Sequence, residues 1–197
     1  VGRIFRTLDE EGLADDTRII FTSDHGENLG DHGLIQKTQS YDSSARVPLI
    51  VKPPNAAGQR TAAGGGVRHA SGFAELVDIA PTIMEYCGVP NPPFFQGRSL
   101  APASTAGRDG STGRASALIE HGFPGGPGYK AVRTDRYLYT RHRDGREILH
   151  DLTVDPNQTN AINAAVAPAE LVSEARDELL RRLLAADPAY PARTADY

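Results

Sequence analysis

The 197 residues carry a formal net charge of −4, with 39% apolar and 23% charged side chains. That length suits one good-sized domain, or one with a small appendage, and the acidic balance argues against a broad nucleic-acid or anionic-membrane partner, either of which wants a basic stripe. No apolar run approaches the roughly 18 residues of a membrane span, and a single cysteine, Cys87, excludes an internal disulfide.

The chain opens Val1-Gly2 with no signal peptide in view, which leaves room for a preceding piece and leaves the compartment open. "VGRIFRTLDEEG" places Val1, Ile4, Phe5 and Leu8 at helical spacing, with Gly12 suited to a left-handed helix end. "TRIIFT" reads as a short buried strand, and helix followed by apolar strand is half of a parallel α/β unit. "RVPLIVKPP" is a second apolar strand, closed by Pro53-Pro54, and the Gly/Ala-rich "NAAGQRTAAGGG" is a surface loop. "FAELVDIAPTIMEYCG" predicts a helix ended by Gly88, with a kink or new first turn near Asp78 and Pro81.

From Val89 to Arg114 the composition shifts to Pro, Gly, Ser and Thr, a long connection. "SALIEH", "KAVRTDRYLYTRHR" and "REILHDL" are three strand-like runs, with a turn signal at Asp144-Gly145. "PAELVSEARDELLRRLLAAD" predicts an amphipathic helix with Leu171, Ala175, Leu179 and Leu183 along one face, its charges solvated, stopped by Asp187-Pro188. The fold class is α/β: a sheet portion over 1–90, a Pro/Gly-rich connection over 91–115, and a small antiparallel sheet covered by a helix over 116–197.

The chemistry concentrates in "IIFTSDHGENLGDHGLIQK", where two Asp-His-Gly triplets stand seven residues apart with Lys37 just beyond. Ligands of open α/β sheets gather beyond the carboxyl ends of strands, and Ser23, Asp24 and His25 follow such an end. Asp24 offers a hard anionic oxygen and His25 a nitrogen suited to a borderline metal. Neighbours on a regular strand point to opposite faces, so both reach one ion only where the chain turns, and Gly26 permits the turn. Two ligands are too few for a closed site. Lys37 is a compact cation fit to hold an anionic oxygen or to stabilise a leaving group. On spacing alone a structural alternative stays open, in which Asp24 caps a turn, His25 packs against it and Lys37 is a surface residue. Asp31-His32-Gly33 lacks a preceding strand and reads first as a hydrogen-bonded loop, with His32 a candidate to touch substrate or steady the site. No Gly-x-Ser-x-Gly elbow and no phosphate-cradling loop occurs.

Taken together, "GLADDTRIIFTSDHGENLGDHG", Lys37, "YDSSARVPLIV", "LVDIAPTIMEYCGVP", "FQGRSLAP", "AVRTDRYLYTR" and "ILHDLTVDPNQTNAI" resemble the C-terminal half of the sulfatase family, within the alkaline-phosphatase-like superfamily. The segments fall in family order and span nearly the whole chain. The Asp-His variant is most similar to choline-sulfatase-like, iduronate-sulfatase-like and phosphonate monoester hydrolase members. The resemblance implies that Asp24 and His25 ligate a divalent cation, usually Ca²⁺. Imidazole is an unusual donor for Ca²⁺, which keeps Mn²⁺ or another transition ion open. It further implies that Lys37 contacts the sulfate group and its bridging oxygen. The family nucleophile is a formylglycine made from Cys or Ser in Cys-x-Pro-x-Arg, expected in an N-terminal half. Cys87-Gly88-Val89-Pro90 has its proline one place too late and no arginine four residues on, so Cys87 reads as a small buried residue at a helix end.

The implied function is part of a metal-dependent sulfuric ester hydrolase acting on a small-molecule or carbohydrate sulfate ester, the fragment by itself inactive. The alternatives are a phosphonate monoester or phosphodiester hydrolase of the same superfamily, and a non-catalytic binding module. Arg46 is expected either to pair with a carboxylate beside the site or to stand apart, and Glu120-His121 either to face a pocket or to pack. Tyr137, Tyr139 and His150 are expected in packing, Asp78 and Pro81 at a helix start, and "DPNQTN" as a turn whose side chains bond backbone.

Overall fold

The computed structural model describes residues 1–54, 69–102, 110–122 and 126–186. Helix α1 (Gly2–Glu10) opens the chain, and Gly12, at φ +67°, turns the backbone out of it in a conformation that side chains resist. Strand β1 (Ile19–Thr22) pairs with β2 (Leu49–Lys52). The expectation of a parallel unit here is corrected: the two strands run antiparallel as a two-stranded sheet, Ile19 opposite Lys52 and Thr22 opposite Leu49. An apolar run reports burial and says nothing about strand direction. Between the strands lie a one-turn 3₁₀ segment, Asp31–Gly33, and a single helical turn, α2 (Asp42–Ala45).

The expected Gly/Ala-rich loop lies outside the described residues. The helix predicted over "FAELVDIAPTIMEYCG" is a 3₁₀ turn, Leu76–Asp78, running into α3 (Ile79–Tyr86), with Gly88 at φ +67° behind it. Its start is held by a reciprocal cap: Asp78 accepts the Glu75 N–H at 2.8 Å and the Glu75 side chain accepts the Asp78 N–H. Asp78 is fully buried, clamped by Nη1 and Nη2 of buried Arg114, and it also accepts the Arg98 N–H at 2.9 Å. Glu75 extends this cluster to Arg182 at 2.5 Å and to the Leu118 N–H at 2.6 Å.

Strands β3 (Ser116–Gly122), β4 (Gly128–Thr134), β5 (Tyr137–His142), β6 (Glu147–Asp151) and β7 (Ile162–Asn163) form one antiparallel meander in chain order. The run "KAVRTDRYLYTRHR", read as one strand, is a hairpin. It turns at Asp135-Arg136, where the Thr134 hydroxyl oxygen accepts the N–H groups of Arg136 (3.2 Å) and Tyr137 (3.0 Å). The last helix, α4 (Ala169–Ala186), lies on one face. There Leu171, Ala175 and Leu179 meet Val132, Tyr137, Tyr139 and Leu149 in a buried cluster. Each buried leucine or valine of this cluster contributes about 1.5–3 kcal/mol.

Alternation along the strands sends the other set, Tyr129, Ala131 and Leu138, to the opposite face, where Tyr41 packs against them. Ser40 reaches the same face and shares a 2.7 Å hydroxyl bond with Thr140. The meander is therefore a middle layer, with α4 on one side and the segment that follows Lys37 on the other. That layering positions the site.

Candidate active site

Strand β1 ends at Thr22, and Ser23, Asp24 and His25 follow at once. Gly26 donates its N–H to the Ser44 carbonyl at 2.7 Å, and a Cβ at Gly26 would overlap the Ser43 carbonyl. Glycine is thus required by close approach rather than by a positive φ. From Glu27 the chain makes a tight excursion in which Leu29, His32 and Gln36 all have positive φ, at 49°, 56° and 74°. Such conformations are costly for residues with a side chain, and they cluster where surroundings over-determine the backbone. The surroundings here are specific. Buried Asn28 uses its backbone N–H (3.2 Å) and its side-chain amide (2.6 Å) on the Gln36 carbonyl, and it accepts the Ser43 hydroxyl at 2.6 Å. Glu27 accepts the Gln36 N–H, and Ser44 donates its hydroxyl to the Lys37 carbonyl at 2.7 Å.

This folding brings Asp24, His25 and Lys37 together. His25 Nδ1 lies 2.7 Å from the Gly26 carbonyl, so Nδ1 carries the proton and, in the neutral ring, Nε2 presents a lone pair. The Lys37 ammonium donates to that Nε2, and Asp24 Oδ2 lies 3.3 Å from the same nitrogen. Desolvation pushes the Asp24 carboxyl upward. The electrostatic effect of the adjacent His25, the His25 N–H and the Ser23 hydroxyl outweigh it and hold the carboxyl below its ordinary range. Asp24 and Lys37 are exposed and His25 is half-buried. The arrangement presents one carboxylate, one imidazole lone pair and one ammonium at a single solvent-facing spot.

Residues 1–89 match the family model described as Sulfatase. The chain is 34% identical to the multifunctional alkaline phosphatase superfamily protein PehA of Trinickia caryophylli, across 100% of this chain and 36% of that protein. It is 30% identical to arylsulfatase K of Bos taurus, across 93% of this chain and 34% of that one. The chain belongs to the sulfatase family. It spans about a third of the length of these curated relatives. Among solved structures, the phosphonate monoester hydrolase of Agrobacterium radiobacter superposes with a TM-score of 0.79 at 27% identity, over 94% of this chain and 38% of that one. A structure bound to its substrate D-glucosamine-2-N,6-O-disulfate also superposes at 0.79, with 26% identity over 98% of this chain and 39% of that one.

Sulfatase membership suggests a metal cofactor and a formylglycine, and the donor set fits half of a metal site. A carboxylate and an imidazole lone pair stand 3.3 Å apart, and the other ring nitrogen is fixed by a backbone carbonyl, as in metal-binding histidines. Among the described residues no group of three or more His, Cys, Asp or Glu side chains is placed to hold a metal. Here the ammonium of Lys37 takes the Nε2 lone pair, which serves one cation at a time.

The other predicted residues divide. His32 stacks on Tyr41, ring centroids 3.8 Å apart at 14°. Tyr41 meets buried His150 edge-on at 5.6 Å, and His150 Nδ1 faces Asp155 at 3.7 Å. His32 thus joins the aromatic seam between the loop and the meander. Arg46 lies 4.0 Å from Asp42 with its side chain exposed. Glu120 pairs with Lys130 and His121 stacks on Tyr129, while Tyr137, Tyr139 and His150 are buried. In "DPNQTN", Asp155 accepts the N–H groups of Thr159 (3.0 Å) and Asn160 (2.8 Å). The expectation that Cys87 is buried is corrected: it is exposed and free, standing just past the last residue of α3. Sequence reading missed Asn28, Asp42 and Arg133 as parts of the site's frame, since nothing local marks which polar residue a distant segment will engage.

Proposed function

We propose that this chain forms part of a sulfuric ester hydrolase, with Asp24 and His25 as two ligands of a divalent cation and Lys37 as the contact for the sulfate group. The observation that supports it is the convergence of the Asp24 carboxylate, His25 Nε2 and the Lys37 ammonium on one exposed spot, in a chain of the sulfatase family. The cation, Ca²⁺ by family precedent and Mn²⁺ by the chemistry of an imidazole donor, supplies charge neutralisation at sulfate oxygens when bound. The formylglycine nucleophile and the remaining ligands belong to the longer polypeptide, within its N-terminal half. The substrate class is a small-molecule or carbohydrate sulfate ester.

The chain's own residues then have defined tasks. Asp24, its carboxyl held below the ordinary range by its neighbours, binds as a hard anion. His25 is held in the tautomer whose Nε2 is free of a proton, its Nδ1–H fixed on Gly26. Lys37 donates hydrogen bonds to a sulfate oxygen and balances charge that builds on the leaving oxygen. Lys37→Ala in the full polypeptide is expected to lower aryl sulfate turnover by at least about tenfold; an unchanged rate removes Lys37 from the reaction.

A second reading keeps the site and changes the substrate to a phosphonate monoester or phosphodiester. It is favoured by a superposition on the phosphonate monoester hydrolase that equals the one on the sulfated-sugar complex. Parallel assays with an aryl sulfate and an aryl phosphonate monoester separate the two, and activity on neither favours a non-catalytic binding module.

A further inference from the structure

The loop that carries His25 and Lys37 is closed by four residues of helical turn. Ser44 bonds both its ends, accepting the Gly26 N–H at 2.7 Å and donating its hydroxyl to the Lys37 carbonyl at 2.7 Å. Ser43 adds the 2.6 Å bond to buried Asn28, which in turn holds the Gln36 carbonyl. A turn of four residues has almost no helical stability of its own, so something outside it must fix it. That something is in the meander. Arg133 on β4 grips the first residue of the turn, Asp42, with Nε on Oδ1 at 3.0 Å and Nη2 on Oδ2 at 3.1 Å. Gln158, itself buried, accepts the Asp42 N–H at 2.9 Å. Both partners lie more than 90 residues downstream.

We infer that Arg133, through its two-pronged contact with Asp42, is a positioning residue that sets where Lys37 and His25 stand relative to each other. The contact is of the kind that fixes geometry: planar, charge-assisted and doubly bonded, with the Arg133 and Asp42 side chains 19% and 27% exposed. Arg46, the other cation near Asp42, is 80% exposed and 4.0 Å away, too loose to replace it. The β-meander is therefore part of the site's construction although none of its side chains touches Asp24, His25 or Lys37 among the described contacts. The inference rests on the hydrolase reading for its consequence in catalysis, and on the hydrogen bonds alone for its consequence in the loop.

The test uses the natural polypeptide that contains these residues, with Arg133→Met, Arg133→Lys, Asp42→Ala and the Met/Ala double variant. Hydrogen exchange at Gly26 and Asn28 is the first readout. Arg133→Met is expected to speed exchange there by at least about tenfold while amides of β4 and β5 keep their protection. Arg133→Lys, which keeps the charge and loses the fork, falls between, and the double variant loses no more than either single one. The second readout is turnover of an aryl sulfate, where kcat falls by about 10- to 100-fold and KM stays within about twofold, as expected when reacting groups are misplaced rather than lost. Unchanged exchange at Gly26 and Asn28 in both Arg133 variants overturns the inference, as does a loss spread evenly over β4 and β5. If the parent polypeptide cleaves neither sulfate nor phosphonate esters, the hydrolase reading fails and the exchange readout still decides the role of Arg133.

Discussion

His150 and Asp24 are ionisable groups in opposite surroundings, and their protons respond accordingly. Asp24 is exposed and keeps its charge through neighbouring donors. His150 is 2% exposed, between Tyr41 and Asp155. Its pKa is lowered, first by desolvation, with the Asp155 carboxylate pulling partly the other way. A histidine depressed in the folded state takes up its proton more readily when unfolded, so its contribution to stability is complete at neutral pH. That contribution declines as pH falls through about 6.5, the unfolded value, toward the folded one. His142, also lowered by desolvation and by Arg146, adds in the same direction. The urea midpoint is expected to drop between pH 7.5 and 5.5, and His150→Phe, which keeps a ring and removes the titration, flattens that drop. Equal pH slopes for parent and variant would show that His150 carries no linkage.

At the scale of elements, the start of α3 shows how one carboxylate can hold three segments. Asp78 caps its own helix, accepts the Arg98 N–H and pairs with Arg114 just before β3, and Glu75 carries the cluster on to Arg182 of α4. Both members of the central pair are buried, at 0% and 7% exposure. Removing Asp78 leaves Arg114 only Glu75, 3.4 Å from its Nη1, and takes the cap of α3 with it, a loss of up to about 3–5 kcal/mol. Asp78→Ala is therefore expected to lower the urea midpoint sharply at unchanged slope, and a change within about 0.5 kcal/mol, the range of an ordinary surface substitution, would contradict the clamp. The sequence pointed to Asp78 as a helix start, since "VDIAPT" places an acid before a first-turn proline. Arg114 sat in a stretch read only as connection, because its partner lies 36 positions away.

At the scale of the whole molecule, the two sheets differ in how well they are covered. The meander has α4 on one face and Tyr41 on the other, whereas the β1–β2 pair leaves Phe21 39% and Ile50 59% exposed. In the 197-residue chain, amides of β4 and β5 should exchange slowest and those of β1 and β2 faster by at least about tenfold. Equal protection would mean that the two-stranded pair is covered. Among the described residues no helix is long and apolar enough to cross a membrane.

What the sequence determined was local and periodic. Helix α1 ends before Gly12, α4 shows a four-residue apolar spacing, and Asp24-His25 directly follows a strand end. Each of these depends on side chains a few positions apart, where propensity and spacing act. Tertiary structure alone decided that β1 and β2 run antiparallel, that the Asp135-Arg136 step is a hairpin and that Cys87 faces solvent. It also decided that Arg133 and Gln158 reach back to Asp42 and so hold Lys37 beside His25. Strand direction and the burial of a polar group depend on which distant segment arrives opposite, and one-dimensional periodicity carries no term for that.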